Sequence, residues 1–191
     1  GLAGADRRFT GSSDAGGEGN RFPVTSWVAD DPDRIDTDAW ELTVTGLVGA
    51  ERTFEYGDLR PSAPSGDAPV ETGTGQRALI DCTSGWCAER AWQGVRVGDL
   101  LDTVAPRDDA RWVRFRSVTG YRWSLPLEEA RDALLATHVD GQRLSHRHGA
   151  PLRLVAPGRR GFQWVKWVES VEVTRTQDLG QWVAIFVSGF D

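Results

Sequence analysis

HGAPLRLVAPGRRGFQWVKWV, residues 148–168, gathers His148, Arg153, Arg159, Arg160 and Lys166 around a turn bearing two glycines. Lys166 is the sole lysine among 22 basic residues. Arginine offers bidentate contacts to phosphate, lysine a point charge, and glycines let a turn expose its N–H groups, so such a cluster suits an anionic phosphate. On spacing alone, a solvated basic edge strand with an ordinary turn is the stronger reading. His146 and His148 would share one face if this stretch begins as a strand. With two cysteines and three histidines in the chain, they are a meagre basis for a zinc site, which takes about four ligands.

A second stretch, IDCTSGWC at 80–87, holds both cysteines. The short apolar run Ala78–Asp81 reads as a strand delivering Cys82 to its end, where loops carry functional groups on a rigid base. A disulfide across five residues would close so short a loop that it contributes little. By composition alone either cysteine reads equally well as a small buried apolar residue.

A chain of 191 residues with 39% hydrophobic content and nine tryptophans can bury a core without cross-links. No run approaches the roughly 18 apolar residues of a membrane span. A net charge of −6 gives no general attraction to nucleic acid or anionic lipid. Dinucleotide and P-loop fingerprints are absent, and Ser84 lies in TSGWC rather than in a nucleophile elbow. Residue 1 is a glycine and no methionine occurs, so the chain is expected to be a processed or excised piece of a longer protein.

Residues 1–20, rich in Gly, Ser and Asp, read as a flexible leader or surface loop, with one domain over 21–191. Trp40–Val48 and Arg52–Tyr56 read as a hairpin, and Arg111–Val118, Pro151–Val155 and Trp164–Val173 as strands. Val97–Val104 reads as a short helix and Leu127–Thr137 as the best helix. Strands with short interspersed helices predict a mixed α+β domain.

Taken together, these segments resemble the molybdenum-cofactor domain of the sulfite oxidase family, whose members include the catalytic subunit of the bacterial periplasmic methionine-sulfoxide reductase. The likeness runs from about Phe22 to Phe190. It rests on FPVTSWVADDP at 22–32 followed by WELTVTGLV, on CTSGWCAERAWQGVRVGDLL at 82–101, on residues 148–168, and on the tail GQWVAIFVSGFD at 180–191. Cys82, with Trp86 and Trp92 behind it, matches the sulfoxide-reductase branch. The resemblance implies a sulfite-oxidase-type fold and one molybdenum with one molybdopterin. Cys82 would ligate the metal, a role that suits a soft thiolate. Thr25, Ser26, Trp27, Ser117, His148, Arg153, Trp164, Val165 and Lys166 would hold the pterin and its phosphate. It further implies oxygen-atom transfer, a haem-containing or other electron-transfer partner, and an extracytoplasmic location, with a membrane anchor outside this chain.

Sulfite oxidases resemble one another in placing arginines and a tyrosine around the substrate anion. The matching positions here are Thr25, Cys87 and Val187. Each lost charge-assisted contact forfeits about 1.5–3 kcal/mol, so a neutral, sulfoxide-like substrate is expected in place of sulfite. Cys87 stays open between a pocket-lining and a structural thiol. The contrasting expectation is a non-catalytic binding module that retains the fold.

Overall fold

The structure, a computed structural model, describes residues 11–26, 30–59 and 74–183. In chain order the strands are β1 (Ser13–Asp14), β2 (Glu41–Gly46), β3 (Arg52–Glu55), β4 (Thr74–Asp81), β5 (Trp86–Arg96), β6 (Trp112–Ser117), β7 (Arg122–Pro126), β8 (Leu134–Val139), β9 (Gln142–Arg143), β10 (Arg153–Val155) and β11 (Val168–Thr174). Short helices lie between them: α1 (Tyr56–Leu59), α2 (Val97–Asp102) and α3 (Leu127–Asp132). Single 3-10 turns lie at His146–His148 and Gly161–Gln163. Among the described residues no helix is long and apolar enough to cross a membrane.

One sheet runs β3-β2-β11-β6-β7, with β2 and β11 parallel and the other neighbours antiparallel. Its strands show the alternation that the sequence promised. In β2, Leu42 and Val44 point inward between outward Glu41, Thr43 and Thr45; in β6, Val113 and Phe115 are buried between Trp112, Arg114 and Arg116.

The other sheet is built on β5, the longest strand, which the sequence reading did not identify. β4 pairs along one side of it; β1 and β8 share the other, and β10 and β9 pair with β8. Gly94 marks a register shift between β5 and β8. A Cβ there would lie 2.0 Å from the Leu135 carbonyl oxygen, so the close strand approach requires glycine. The helix expected over Leu127–Thr137 stops at Asp132: Ala133 turns extended, and Leu134–Val139 becomes β8. Leu134, Leu135, Ala136, Thr137 and Val139 are all buried. An apolar run covered on both faces of a sheet has no alternation to distinguish it from a buried helix.

Residues 11–20, read as a leader or surface loop, run along the surface and are tied down. β1 pairs in parallel with Trp86–Cys87, Ser12 Oγ donates to Asp81 Oδ1 at 2.7 Å, and the Gly19 N–H donates to Asp140 Oδ2 at 2.7 Å. The buried Arg90 guanidinium donates to the Gly16, Gly19 and Arg21 carbonyls. The strand expected at 164–173 begins only at Val168; Trp167, with φ +51°, breaks the extension just after Lys166.

Candidate active site

Antiparallel pairing of β4 with β5 ends at Asp81 opposite Cys87, leaving Cys82–Gly85 as the turn between two buried strands. The Cys82 N–H donates to the Trp86 carbonyl at 2.9 Å, and the Gly85 N–H to the Cys82 carbonyl at 3.2 Å. Cys82 therefore stands on a rigid base, as the sequence predicted. Its Sγ lies 3.1 Å from Ser84 Oγ and 3.3 Å from Thr25 Oγ1. No disulfide joins the two cysteines. Cys87 is fully buried within β5, flanked by Asp14 of β1 and Asp81 of β4, and is not among the pocket-lining residues.

Thr25 and Ser26 arrive on the loop that follows Phe22, and His148 anchors that loop. His148 Nε2 lies 2.9 Å from the Phe22 carbonyl and Nδ1 2.7 Å from Ser145 Oγ. Burial, reinforced by Arg153, Lys166 and Arg147, pulls this imidazole down to about 4 against the hydrogen bond to Phe22. It is therefore neutral at pH 7. A neutral ring facing a carbonyl carries its proton on Nε2, so the Ser145 hydroxyl donates to Nδ1. The Phe22 ring packs 4.1 Å from the His148 ring and 5.9 Å from both Trp86 and Trp92. Aromatic pairs of this kind contribute about 0.5–1.5 kcal/mol each beyond area burial. The loop is fixed at its root and delivers two hydroxyls at its tip.

Arg153 on β10 and Lys166 before β11 are both buried. Arg153 Nη1 donates to the His148 carbonyl at 2.7 Å and its guanidinium lies over Trp92, but among the described residues its buried Nε has no partner. Burial pulls Arg153 down to about 10, partly opposed by Cys82. Burial, then Arg153, pulls Lys166 down to about 8, with Asp30 and Asp31 acting the other way. Lys166 Nζ donates to Ser26 Oγ at 2.6 Å and sits 4.1 Å from the Trp167 ring centre. Among the described residues neither cation has a carboxylate within ion-pair distance. Lys166 packs closely over Gly149, whose φ is +112° and where a Cβ would meet Lys166 side-chain atoms at 3.0 Å.

These groups open onto one pocket, lined by Phe22–Ser26, Ile80, Cys82, Thr83, Trp86, Arg147, His148, Arg153, Gly161, Phe162 and Lys166. It has the donor set that a sulfur-ligated metal and an anionic organic group together require: a soft thiol, hydroxyls, and two desolvated cations, one with an N–H unpaired among the described residues. Of the expected residues, Thr25, Ser26, Cys82, His148, Arg153 and Lys166 line it. Trp164 and Val165 stand behind it: the Trp164 indole packs on Trp92 and donates to the Arg159 carbonyl, and the Val165 carbonyl accepts from Leu154. Ser117 is buried at the end of β6, accepting from Thr119, and does not line the pocket. Trp27 and Val187 lie outside the described residues.

Arg159, which the basic cluster included, instead makes a two-pronged ion pair with Glu129 on α3. His146 and His148, which would have shared one face had this stretch begun as a strand, occupy a 3-10 turn and face the separate carbonyls of Pro32 and Phe22. Among the described residues no group of three or more His, Cys, Asp and Glu could hold a metal. Missed from sequence were Ser84, Arg147, Phe162 and Asp30. Asp30 is buried, accepts from Thr119, and has a carboxyl that burial pushes up; its charge acts on Lys166. Sequence offered no signal for Asp30, since it sits in an acidic run that reads as solvated surface.

Residues 28–182 match the family described as the oxidoreductase molybdopterin binding domain. The chain is 29% identical over 164 residues to the uncharacterized oxidoreductase YuiH of Bacillus subtilis, which covers 84% of this chain and 78% of that protein. It is 27% identical over 160 residues to the protein-methionine-sulfoxide reductase catalytic subunit MsrP of Ralstonia nicotianae, covering 75% of this chain and 46% of that one. The sulfane dehydrogenase SoxCD from Paracoccus pantotrophus superposes with a TM-score of 0.66 at 24% identity, over 75% of this chain and 40% of that chain. The chain thus spans less than half of the reductase subunit and of the dehydrogenase chain.

Proposed function

Because the chain belongs to the oxidoreductase molybdopterin-binding domain family, with the α+β fold of sulfite-oxidase-type molybdenum proteins, we propose that it performs oxygen-atom transfer on a small, neutral, sulfoxide-like substrate. When bound, a molybdenum held by one molybdopterin supplies two-electron redox chemistry and the capacity to exchange an oxygen atom. The chain's own residues do the rest. Cys82 offers the thiolate ligand. Arg153 and Lys166 take the anionic part of the pterin, Ser26 steers Lys166, and neutral His148 fixes the loop that carries Thr25 and Ser26.

One observation carries the cofactor assignment: two buried cations that have no carboxylate partner among the described residues, one of them with an Nε that has no hydrogen-bond partner there, lie in the same pocket as the Cys82 thiol. The neutral-substrate reading is supported by the surroundings of Cys82 Sγ, which are the hydroxyls of Thr25 and Ser84. An anion there would meet no guanidinium at the positions where sulfite oxidases place theirs. Reduction of a sulfoxide consumes two electrons and two protons and releases water, so electrons must come from a separate carrier. One relative is named a catalytic subunit, and a distinct haem-type partner in an extracytoplasmic setting is the corresponding reading for this chain.

The test is metal analysis of protein made in a host that synthesises the cofactor, alongside Cys82→Ser and Cys87→Ser. Stoichiometric molybdenum in the wild type and in Cys87→Ser, with loss of molybdenum-centred activity in Cys82→Ser, is the expected result. A wild type without molybdenum would favour the non-catalytic binding module, and equal loss from both substitutions would sink Cys82 as the single protein ligand. Turnover of sulfoxides, N-oxides and sulfite with a dye as electron carrier then identifies the substrate class.

A further inference from the structure

Three polar groups form a connected arrangement around the Cys82 sulfur, and the arrangement has a direction. The Trp86 indole N–H donates to Thr25 Oγ1 at 3.3 Å. Thr25 Oγ1 lies 3.0 Å from Ser84 Oγ, and both oxygens lie within 3.3 Å of Cys82 Sγ. In the thiol form, the Cys82 S–H donates to Thr25 Oγ1. A thiolate bound to a metal has no hydrogen to give, so the contacts with sulfur persist only if the hydroxyls become the donors. The indole can only donate, and it occupies one acceptor position on Thr25 Oγ1. That leaves the Thr25 hydrogen to point at sulfur or at Ser84, and the Ser84 hydrogen to complete the set.

We propose that Ser84 and Thr25, the latter polarised by Trp86, are tuning residues that donate hydrogen bonds to the metal-bound Cys82 thiolate and raise the reduction potential of the centre. Hydrogen bonds to a ligating sulfur withdraw electron density from it, so the sulfur donates less to the metal and the reduced state is favoured. Ser84 and Thr25 are both exposed, so neither side chain belongs to the packed core, and Thr25→Ser keeps the acceptor that the Trp86 indole N–H uses. The proposal rests on Cys82 being the molybdenum ligand, and the experiment separates the two claims.

Wild type, Ser84→Ala, Thr25→Val and the conservative Thr25→Ser are loaded in a cofactor-competent host. Each is assayed for molybdenum content, for the number of sulfur ligands by X-ray absorption, and for midpoint potential by redox titration of the Mo(V) electron paramagnetic resonance signal. The expected result is an unchanged number of sulfur ligands per molybdenum in each variant, a shift to lower potential in Ser84→Ala and Thr25→Val, and a potential close to wild type in Thr25→Ser. Unchanged potentials in Ser84→Ala and Thr25→Val, with metal and sulfur ligation intact, overturn the tuning role and leave the ligand assignment standing. A sulfur count that does not fall in Cys82→Ser overturns both.

Discussion

Arg153→Met separates what the fold needs from what the cofactor needs. In the protein without cofactor, the Arg153 guanidinium is buried, and its lowering from the ordinary arginine range to about 10 corresponds to a penalty of about 3 kcal/mol on the charged form. Methionine keeps the apolar stem and removes that penalty. Against it stand the His148 carbonyl that loses its donor, about 1–3 kcal/mol, and the contact over Trp92, about 0.5–2 kcal/mol. The terms nearly cancel, so urea denaturation of cofactor-free Arg153→Met should give a stability within about 2 kcal/mol of wild type. Cofactor retention should move the other way: losing a charge-assisted contact of about 1.5–3 kcal/mol weakens binding about 10- to 150-fold. The readout is molybdenum and phosphorus content after extended dialysis. A loss of 4 kcal/mol or more in the cofactor-free protein, the scale seen when a buried ion pair is broken, with cofactor retained, would refute the reasoning. Arg153 would then be a structural residue.

Two further outcomes follow from the same pocket. The His148 imidazole is lowered from 6.5 to about 4, so below pH 6.5 the unfolded chain takes up a proton that the folded chain refuses; stability of the cofactor-free protein should fall by up to about 3 kcal/mol between pH 6.5 and 4 and be level with respect to this group above 6.5. Denaturation at several pH values, compared with His148→Asn, isolates this contribution, and identical slopes in the two proteins would count against it. Gly149→Ala combines a strained positive φ with a Cβ pressed against Lys166; it should lower stability by about 1–3 kcal/mol and reduce cofactor content, and a variant equal to wild type in both would show that the close packing of Lys166 over Gly149 matters to neither.

Much of the site was legible because its chemistry is local in sequence. Cys82 at a strand end and the basic stretch holding Arg153 and Lys166 could be singled out from residue type and spacing, their cofactor roles came only from the family resemblance, and the fold class followed from strands that alternate cleanly, such as β2 and β6. What escaped depends on pairing across long separations. β5 carries Glu89, Arg90 and Gln93 and looks polar in isolation; it is the centre of its sheet only because β4, β8 and β1 cover it. Leu134–Val139 looked helical for the complementary reason, being apolar on both faces. Asp30 and Ser84 gained their roles from neighbours 136 and 59 residues away, Lys166 and Thr25. Arg159 drew attention as a cation and turned out to have a private partner in Glu129.

The wall of the pocket is drawn from residues 22–26, 80–86, 147–153 and 161–166, and the strand behind Cys82 is paired by residues 13–14. No contiguous fragment of the chain owns the site. Contacts of such sequence separation form late in folding, after loop-closure entropy has been overcome. An emerging chain therefore has nothing with which to grip a cofactor until residue 166 has been made and has met residue 26. Loading is an event of the finished fold, and a cofactor that then binds only that fold stabilises all four segments together.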